Sequence, residues 1–352
     1  MGSRFIADLD ARVKRQRKGR AYANYLRVRD YLGAMMDDWV RLDPDGGPSA
    51  YWKEEIEGFL YLFDASPMLV EHLREQCYHI TGIKSYEYRT HHQHQARRYM
   101  PKYKLLRKAD PTVTGANPYG LFVPEADALG GFGLDIGANG KANIDTLKFY
   151  EVLIGMEQAG LLPQFRGQQS QRKVVLEIGS GWGGFAYQFK TLAPNTTYIC
   201  LDLPPTMIFS GVYLTTLFPE AKALFYGEKG FDKKIKNYKD YDFIFVPHYY
   251  WAKLQKQVKL DLGINMVSFQ EMTTAQVDGY ARGVAQTGAP IYSLNRDRSK
   301  NNDELTTVTE ILADSFELTP VHVLDLQYIE LKAGGPPTAE VHRYRHYLGT
   351  PK

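Results

Sequence analysis

Along the first eighty residues apolar positions recur at three- and four-residue intervals, and residues 5 to about 82 read as helical. Ser66-Pro67 supplies an N-cap and a first-turn proline, Leu69, Leu73 and Cys77 follow at helical spacing, and Gly82 closes the run. The rhythm then dissolves between 110 and 142, where Pro111, Pro118, Pro124, Gly130, Gly131 and Gly133 punctuate a long irregular region. Connections of that length in a compact chain usually serve a function or lack order. Asp145 reads as the cap of a helix running through Leu153 to Gly160.

From Val174 the pattern changes to short apolar runs alternating with helical stretches. Strands are predicted at 174–178, 197–202, 242–247, 264–269 and 290–294, with a C-terminal pair at about 316–325 and 341–348. Pro204-Pro205 reads as opening one helix, with Phe209, Val212 and Tyr213 on one face. Thr273 and Gln276 form a capping box opening a second through Val277 and Ala281, and Leu305, Val308 and Leu312 mark a third. Such alternation implies an α/β fold whose mostly parallel sheet carries helices on both faces. The chain divides into a mainly helical N-terminal cap at 1–142, with a Gly/Pro-rich loop, and a ligand-binding domain at 143–352. Ligands of such sheets lie beyond the carboxyl ends of the strands, where Gly179, Asp202, His248 and Ser268 fall.

The run from Val174 to Gly184 carries the first chemistry. An apolar strand reaches Glu177 and then Gly179, Ser180, Gly181 and Gly183, so the chain turns sharply where a ligand must approach without meeting a Cβ. Gly179, Gly181 and Gly184 also match the dinucleotide fingerprint G-x-G-x-x-G. Glu177 tilts the choice toward S-adenosylmethionine, because a carboxylate there receives the cofactor's ammonium group and would repel a pyrophosphate. Asp202, followed by Leu203, stands about 20 residues on, the distance at which an acid closes on ribose hydroxyls. That acid suits both cofactor classes, so an NAD(P)-dependent oxidoreductase is the rival reading.

Bulk properties narrow the picture further. The 352 residues suffice for two domains, and 44% hydrophobic with 24% charged residues is ordinary for a globular chain. A net charge of +3 gives no whole-protein field for nucleic acid. Arg12, Lys14, Arg15, Arg17, Lys18 and Arg20 form the one basic run, on which an RNA methyltransferase would draw. The 25 Tyr and 17 Phe suit an amphipathic ligand as well as a core. Two cysteines, no long apolar stretch and no signal-like leader fit a cytoplasmic protein without transmembrane segments.

Three further segments carry a resemblance. Asn143-Ile-Asp-Thr-Leu-Lys-Phe149, Asp202-Leu-Pro204, and Asn265-Met-Val-Ser-Phe-Gln-Glu-Met272 leading to Tyr292-Ser-Leu-Asn295 together resemble the bacterial sugar O-methyltransferase family of class I adenosylmethionine-dependent enzymes. The resemblance covers about residues 140–300, and Ser-Phe-Gln-Glu-Met is its most specific part. Pro205 departs from it, standing where that family often has an acid. The resemblance implies a seven-stranded sheet with a reversed last strand, and methyl transfer to a hydroxyl of a sugar or glycosylated small molecule.

Alkylating a weakly acidic hydroxyl calls for alignment and a general base. Glu271, after the fourth predicted strand, is the first candidate; its other reading is a helix-start carboxylate. His248, after the third, is the second, with packing beside the adenine as its alternative. Ser268 and Phe269 are expected to flank the adenine. His92, His94 and Arg97 read as a substrate-facing polar surface, and Arg296 as a contact for an anionic acceptor. Consecutive histidines point to different faces, so His91, His92 and His94 make a poor chelate. A divalent metal near Glu271 and Asp297 is compatible with the chemistry but not indicated. A homo-oligomer is compatible too.

Overall fold

The structure is a computed structural model, and it describes residues 2–42, 47–167, 171–299, 302–324 and 339–352. Helices α1 (Gly2–Arg17), α2 (Arg20–Leu42) and α3 (Ala50–Glu57) open the chain; single turns follow, then α4 (Met100–Ala109). At 66–82 both expected ends are present, the Ser66 side chain accepting the Leu69 N–H and Gly82 standing at φ 65° as a left-handed cap, but the expected single helix is broken into three turns at Pro67–Val70, Leu73–Gln76 and Tyr78–Thr81. Between 110 and 142 the backbone is irregular but pinned. The Asp110 carboxylate accepts the Leu121 N–H at 2.7 Å and the Tyr150 hydroxyl at 2.8 Å, and Leu121, Phe122 and Val123 are buried.

Helix α5 (Ile144–Gln158) is capped by Asn143, not by Asp145. Asn143 and Thr146 exchange side-chain and backbone hydrogen bonds at 3.0 and 2.9 Å, which leaves Asp145 inside the first turn. There Asp145 is fully buried and pairs with Arg74 at 3.1 Å. The helix is buried on all sides from Ile144 to Met156, so it is an interior element, as its apolar content requires.

The main sheet has eight strands: β1 (Lys173–Ile178), β2 (Thr196–Asp202), β3 (Ala223–Phe225), β4 (Phe243–Pro247), β5 (Leu262–Met266), β6 (Ile291–Asn295), β7 (Phe316–Val321) and β8 (Arg345–Pro351). Their order is β3-β4-β2-β1-β5-β6-β8-β7, and only β8 runs against its neighbours. The expected seven strands and the reversed last strand are present; the eighth is β3, an edge strand of three residues paired with β4. A strand that short shows no period-two pattern. The strand expected at 264–269 ends at Met266, because Val267 turns to φ 56°. The helix expected at Pro204-Pro205 begins at Met207 as α7 (Met207–Leu217), after a turn through both prolines.

Alternate strand residues serve opposite faces. Val174, Leu176 and Ile178 pack with α8 (Thr274–Gln286) and α9 (Val308–Ser315), while Val175 packs with α5 and α6 (Gly184–Leu192). Tyr25, Val28, Leu32 and Met35 of α2 enter that second cluster beside Phe209 and Phe225, so the N-terminal helices share a core with the sheet. A buried ionic group, Lys102 with Glu151 and His346, joins α4, α5 and β8; His346 meets Glu151 at 3.0 Å and Tyr292 at 2.9 Å. Cys77 and Cys200 are buried and free. Among the described residues no helix is long and apolar enough to cross a membrane.

Candidate active site

At the end of β1 the chain enters the glycine turn with Gly179 at φ 73°, Gly181 at 52° and Gly183 at 82°. A Cβ on Gly179 would lie 2.1 Å from Ser268 Oγ, so both conformation and contact demand glycine there. Registers Ile178↔Asn265, Asp202↔Pro247 and Met266↔Leu294 bring the ends of five strands to one edge of the sheet. A cavity of about 420 Å³ opens at that edge. Glu177, the glycine turn and Asp202-Leu203 form one wall, and Ser268, Gln270 and Glu271 the other. Pro48 to Glu55 and Tyr78 to Gly82, both from the N-terminal region, close it.

Glu177 is 2% exposed and accepts a hydrogen bond from the Tyr198 hydroxyl at 2.9 Å. Burial pushes its pKa up to about 8, against the Tyr198 bond, so near neutrality it waits as an acid for a cation. Asp202 accepts the N–H groups of Gly181 and Leu203, each at 2.7 Å, which ties the glycine turn to the end of β2. Burial lifts its pKa to about 6 in spite of these donors.

The loop carrying Glu271 is held from every side. Val267, a β-branched residue in the left-handed region, costs on the order of 1–3 kcal/mol and turns the chain out of β5. Asn265 donates to the Ile178 carbonyl at 2.8 Å and accepts the Phe269 N–H at 3.0 Å, joining this loop to β1. Asn302 donates to the carbonyls of Gln270 and Met272 at 3.0 and 2.9 Å. The Ser49 hydroxyl donates to the Glu271 carbonyl at 2.6 Å, and Trp52 lines the cavity with it. Burial raises the Glu271 pKa to about 7, opposed by Trp52, Arg296 and Lys148; that value suits a general base.

His248 lines the same cavity, at the end of β4, with its ring 4.7 Å from that of Trp39. Strand order places it three spacings from the end of β5, roughly 14 Å across the sheet. His248 therefore enters the cavity from the Asp202 side and Glu271 from the other. Ser268 and Leu203 line the cavity. Phe269 is fully buried against Tyr280 and faces the core, and Gly183 faces Leu214 as the N-cap of α6. Arg296 lines the cavity and donates to the Tyr344 hydroxyl at 2.7 Å. His92, His94 and Arg97 do not line it: His92 stacks on Tyr86, and Arg97 donates to Gln93 at 3.2 Å. Among the described residues no three His, Cys, Asp or Glu groups form a metal-holding cluster.

Ser49, Trp52, Lys148, Asn302 and Tyr344 reach the cavity without having been singled out by sequence. Lys148 lies within the segment Asn143 to Phe149, where nothing in the local pattern marks it as facing a ligand. The other four carry no local signal, since their partners are distant in the chain.

No family model matches the chain, and no curated protein matches it. Among solved structures, an O-methyltransferase family protein from Burkholderia thailandensis is 12% identical over 59% of this chain and 59% of its own, with a TM-score of 0.34. Precorrin-6y C5,15-methyltransferase from Geobacter metallireducens is 15% identical over 55% of this chain and 88% of its own, at 0.29. A fibrillarin pre-rRNA processing protein from Methanococcus jannaschii is 13% identical over 51% and 67%, at 0.30. The class I methyltransferase-like, Rossmann-like α/β fold rests on the strand order and the reversed strand β8, not on these slight likenesses.

Proposed function

We propose that the protein is an S-adenosylmethionine-dependent O-methyltransferase acting on a hydroxyl of a sugar or glycosylated small molecule. The carrying observation is that Glu177 and Asp202 flank a glycine turn and share one cavity with Glu271. The donor set fits the cofactor: a buried acid awaits an ammonium group, a second acid stands at ribose distance, and Gly179 leaves no room for a side chain. Bound S-adenosylmethionine supplies a methyl group already activated by its sulfonium charge.

The chain's own residues then do three things. Glu177 and the backbone of Gly179 to Gly181 hold the amino-acid part, while Asp202 and Leu203 hold the ribose side with His248 beyond them. Tyr51, Trp52 and Tyr78 offer ring faces to the C–H surface of a glycosyl unit. Glu271 removes the proton of the acceptor hydroxyl. A dinucleotide is disfavoured because its pyrophosphate brings no cation to meet buried Glu177. The basic residues 12–20, on which RNA binding would draw, do not line the cavity.

Calorimetry with S-adenosylhomocysteine tests the cofactor, and transfer of labelled methyl to a panel of glycosides tests the acceptor. Saturable binding with transfer to glycosides is expected. Absence of binding at millimolar ligand overturns the cofactor reading, and transfer to RNA alone overturns the acceptor reading.

A further inference from the structure

We infer that Lys148 binds the carboxylate of the cofactor's amino-acid end, opposite Glu177, so that the cavity recognises the whole zwitterion. The inference rests on the cofactor reading above and extends it to a residue with no role there.

An α-amino acid brings one positive and one negative group. Glu177 answers the first, and a buried carboxylate needs a cation or several donors to answer the second. Lys148 lies on α5 and lines the cavity together with Glu177, Gly179 and Glu271. Its position is fixed by its neighbours. The ammonium group lies 3.4 Å from Asp145 and 4.7 Å from the centre of the Phe149 ring, and its side chain is 11% exposed.

Asp145 is held in turn by Arg74 at 3.1 Å, and Arg74 by Glu125 at 2.7 Å. The guanidinium of Arg74 sits 3.7 Å from the ring of Trp182, a residue of the glycine turn. Charge alternates along Glu125, Arg74, Asp145 and Lys148, and of the four only Lys148 lines the cavity. The row thus anchors the glycine turn and sets one ammonium group beside it, using buried ion pairs whose value is in geometry.

The other cations of the cavity lie elsewhere. Arg296 follows β6, two strands from β1, and is engaged with the ring and hydroxyl of Tyr344. His248 follows β4, two strands away on the opposite side, and His79 belongs to the N-terminal wall. The ammonium of Lys148 favours the charged form of both Glu177 and Glu271, which agrees with its place in the same lining.

Calorimetry with three ligands tests this: S-adenosylhomocysteine, its decarboxylated form, and 5′-methylthioadenosine, which lacks the amino-acid end altogether. The wild-type protein is expected to prefer S-adenosylhomocysteine over the decarboxylated form by on the order of 10- to 100-fold. K148M should erase that preference while binding the other two as the wild type does, and K148R should keep most of it. Equal wild-type affinity for the first two ligands overturns the inference, as does a K148M protein weakened alike toward all three. Should K148M fail to fold, the wild-type comparison and K148R decide. A wild-type protein that binds none of the three overturns the cofactor reading itself.

Discussion

At the end of the cavity formed by β1 and β2 the hydrogen bonds of the two acids are local in the chain. Gly181 and Leu203 reach Asp202, and Tyr198 reaches Glu177, all within the stretch from β1 to the end of β2. At the acceptor end the reverse holds. Glu271 is clasped by Ser49, 222 residues away, and its loop by Asn302, while Gln270 meets Tyr344, 74 residues away. One end is a turn whose geometry is set by its own glycines; the other is a junction assembled when the N-terminal helices dock. Single residues should matter most at the first, and shared support should soften losses at the second, the base excepted.

The largest expected effect is at the turn. Gly179→Val places a branched side chain on Ser268 at a left-handed position, and saturable S-adenosylhomocysteine binding should vanish in calorimetry. Glu271→Gln comes next and separates chemistry from binding. Turnover should fall by about 10²–10⁴, with S-adenosylhomocysteine affinity within about twofold of wild type. In the wild type, rate should rise with pH through about 7 as Glu271 ionises. Asp202→Ala should weaken S-adenosylhomocysteine by about 10- to 100-fold, since it removes a charged acceptor and frees two turn N–H groups.

Glu177 gives a sharper probe through protons. Its folded pKa of about 8 stands above the ordinary 4.5, so stability from this group is full below about 4.5 and is lost as pH rises through about 8. Thermal melting of the ligand-free protein should show that decline, and Glu177→Gln should flatten it. Binding an ammonium ligand at pH 7 should release close to one proton, about 0.9 for a group of pKa 8. Calorimetry in buffers of different ionisation enthalpy measures that release. The smallest effect is expected of His92→Ala and Arg97→Ala, within about twofold in turnover, because neither side chain lines the cavity. A tenfold loss would show that the acceptor extends beyond this wall.

The same contrast explains what was legible beforehand. The glycine turn, Glu177 and Asp202 announce themselves because residue type and spacing within one strand-turn-helix unit determine the local backbone. The mostly parallel sheet followed from alternation of apolar runs, the reversed strand from the family resemblance, and the strand order had no local signal. Strand β3 escaped because three residues carry no period, and Asn143 and Asp145 compete as caps because the two residue types suit an N-cap about equally. Phe269 was placed toward the ligand by its neighbourhood, whereas the turn at Val267 rotates it into the core. Ser49 and Trp52 gave no sign at all, since nothing near them in the chain points to Glu271.

Val267 makes the acceptor end a place where gains in robustness and in performance part company. A glycine substituted there would relax the backbone yet release the loop that aims Glu271, so selection for a hardier fold would erode precision. Screens that reward melting temperature alone should therefore accumulate changes near this bend and return well-behaved proteins that work poorly.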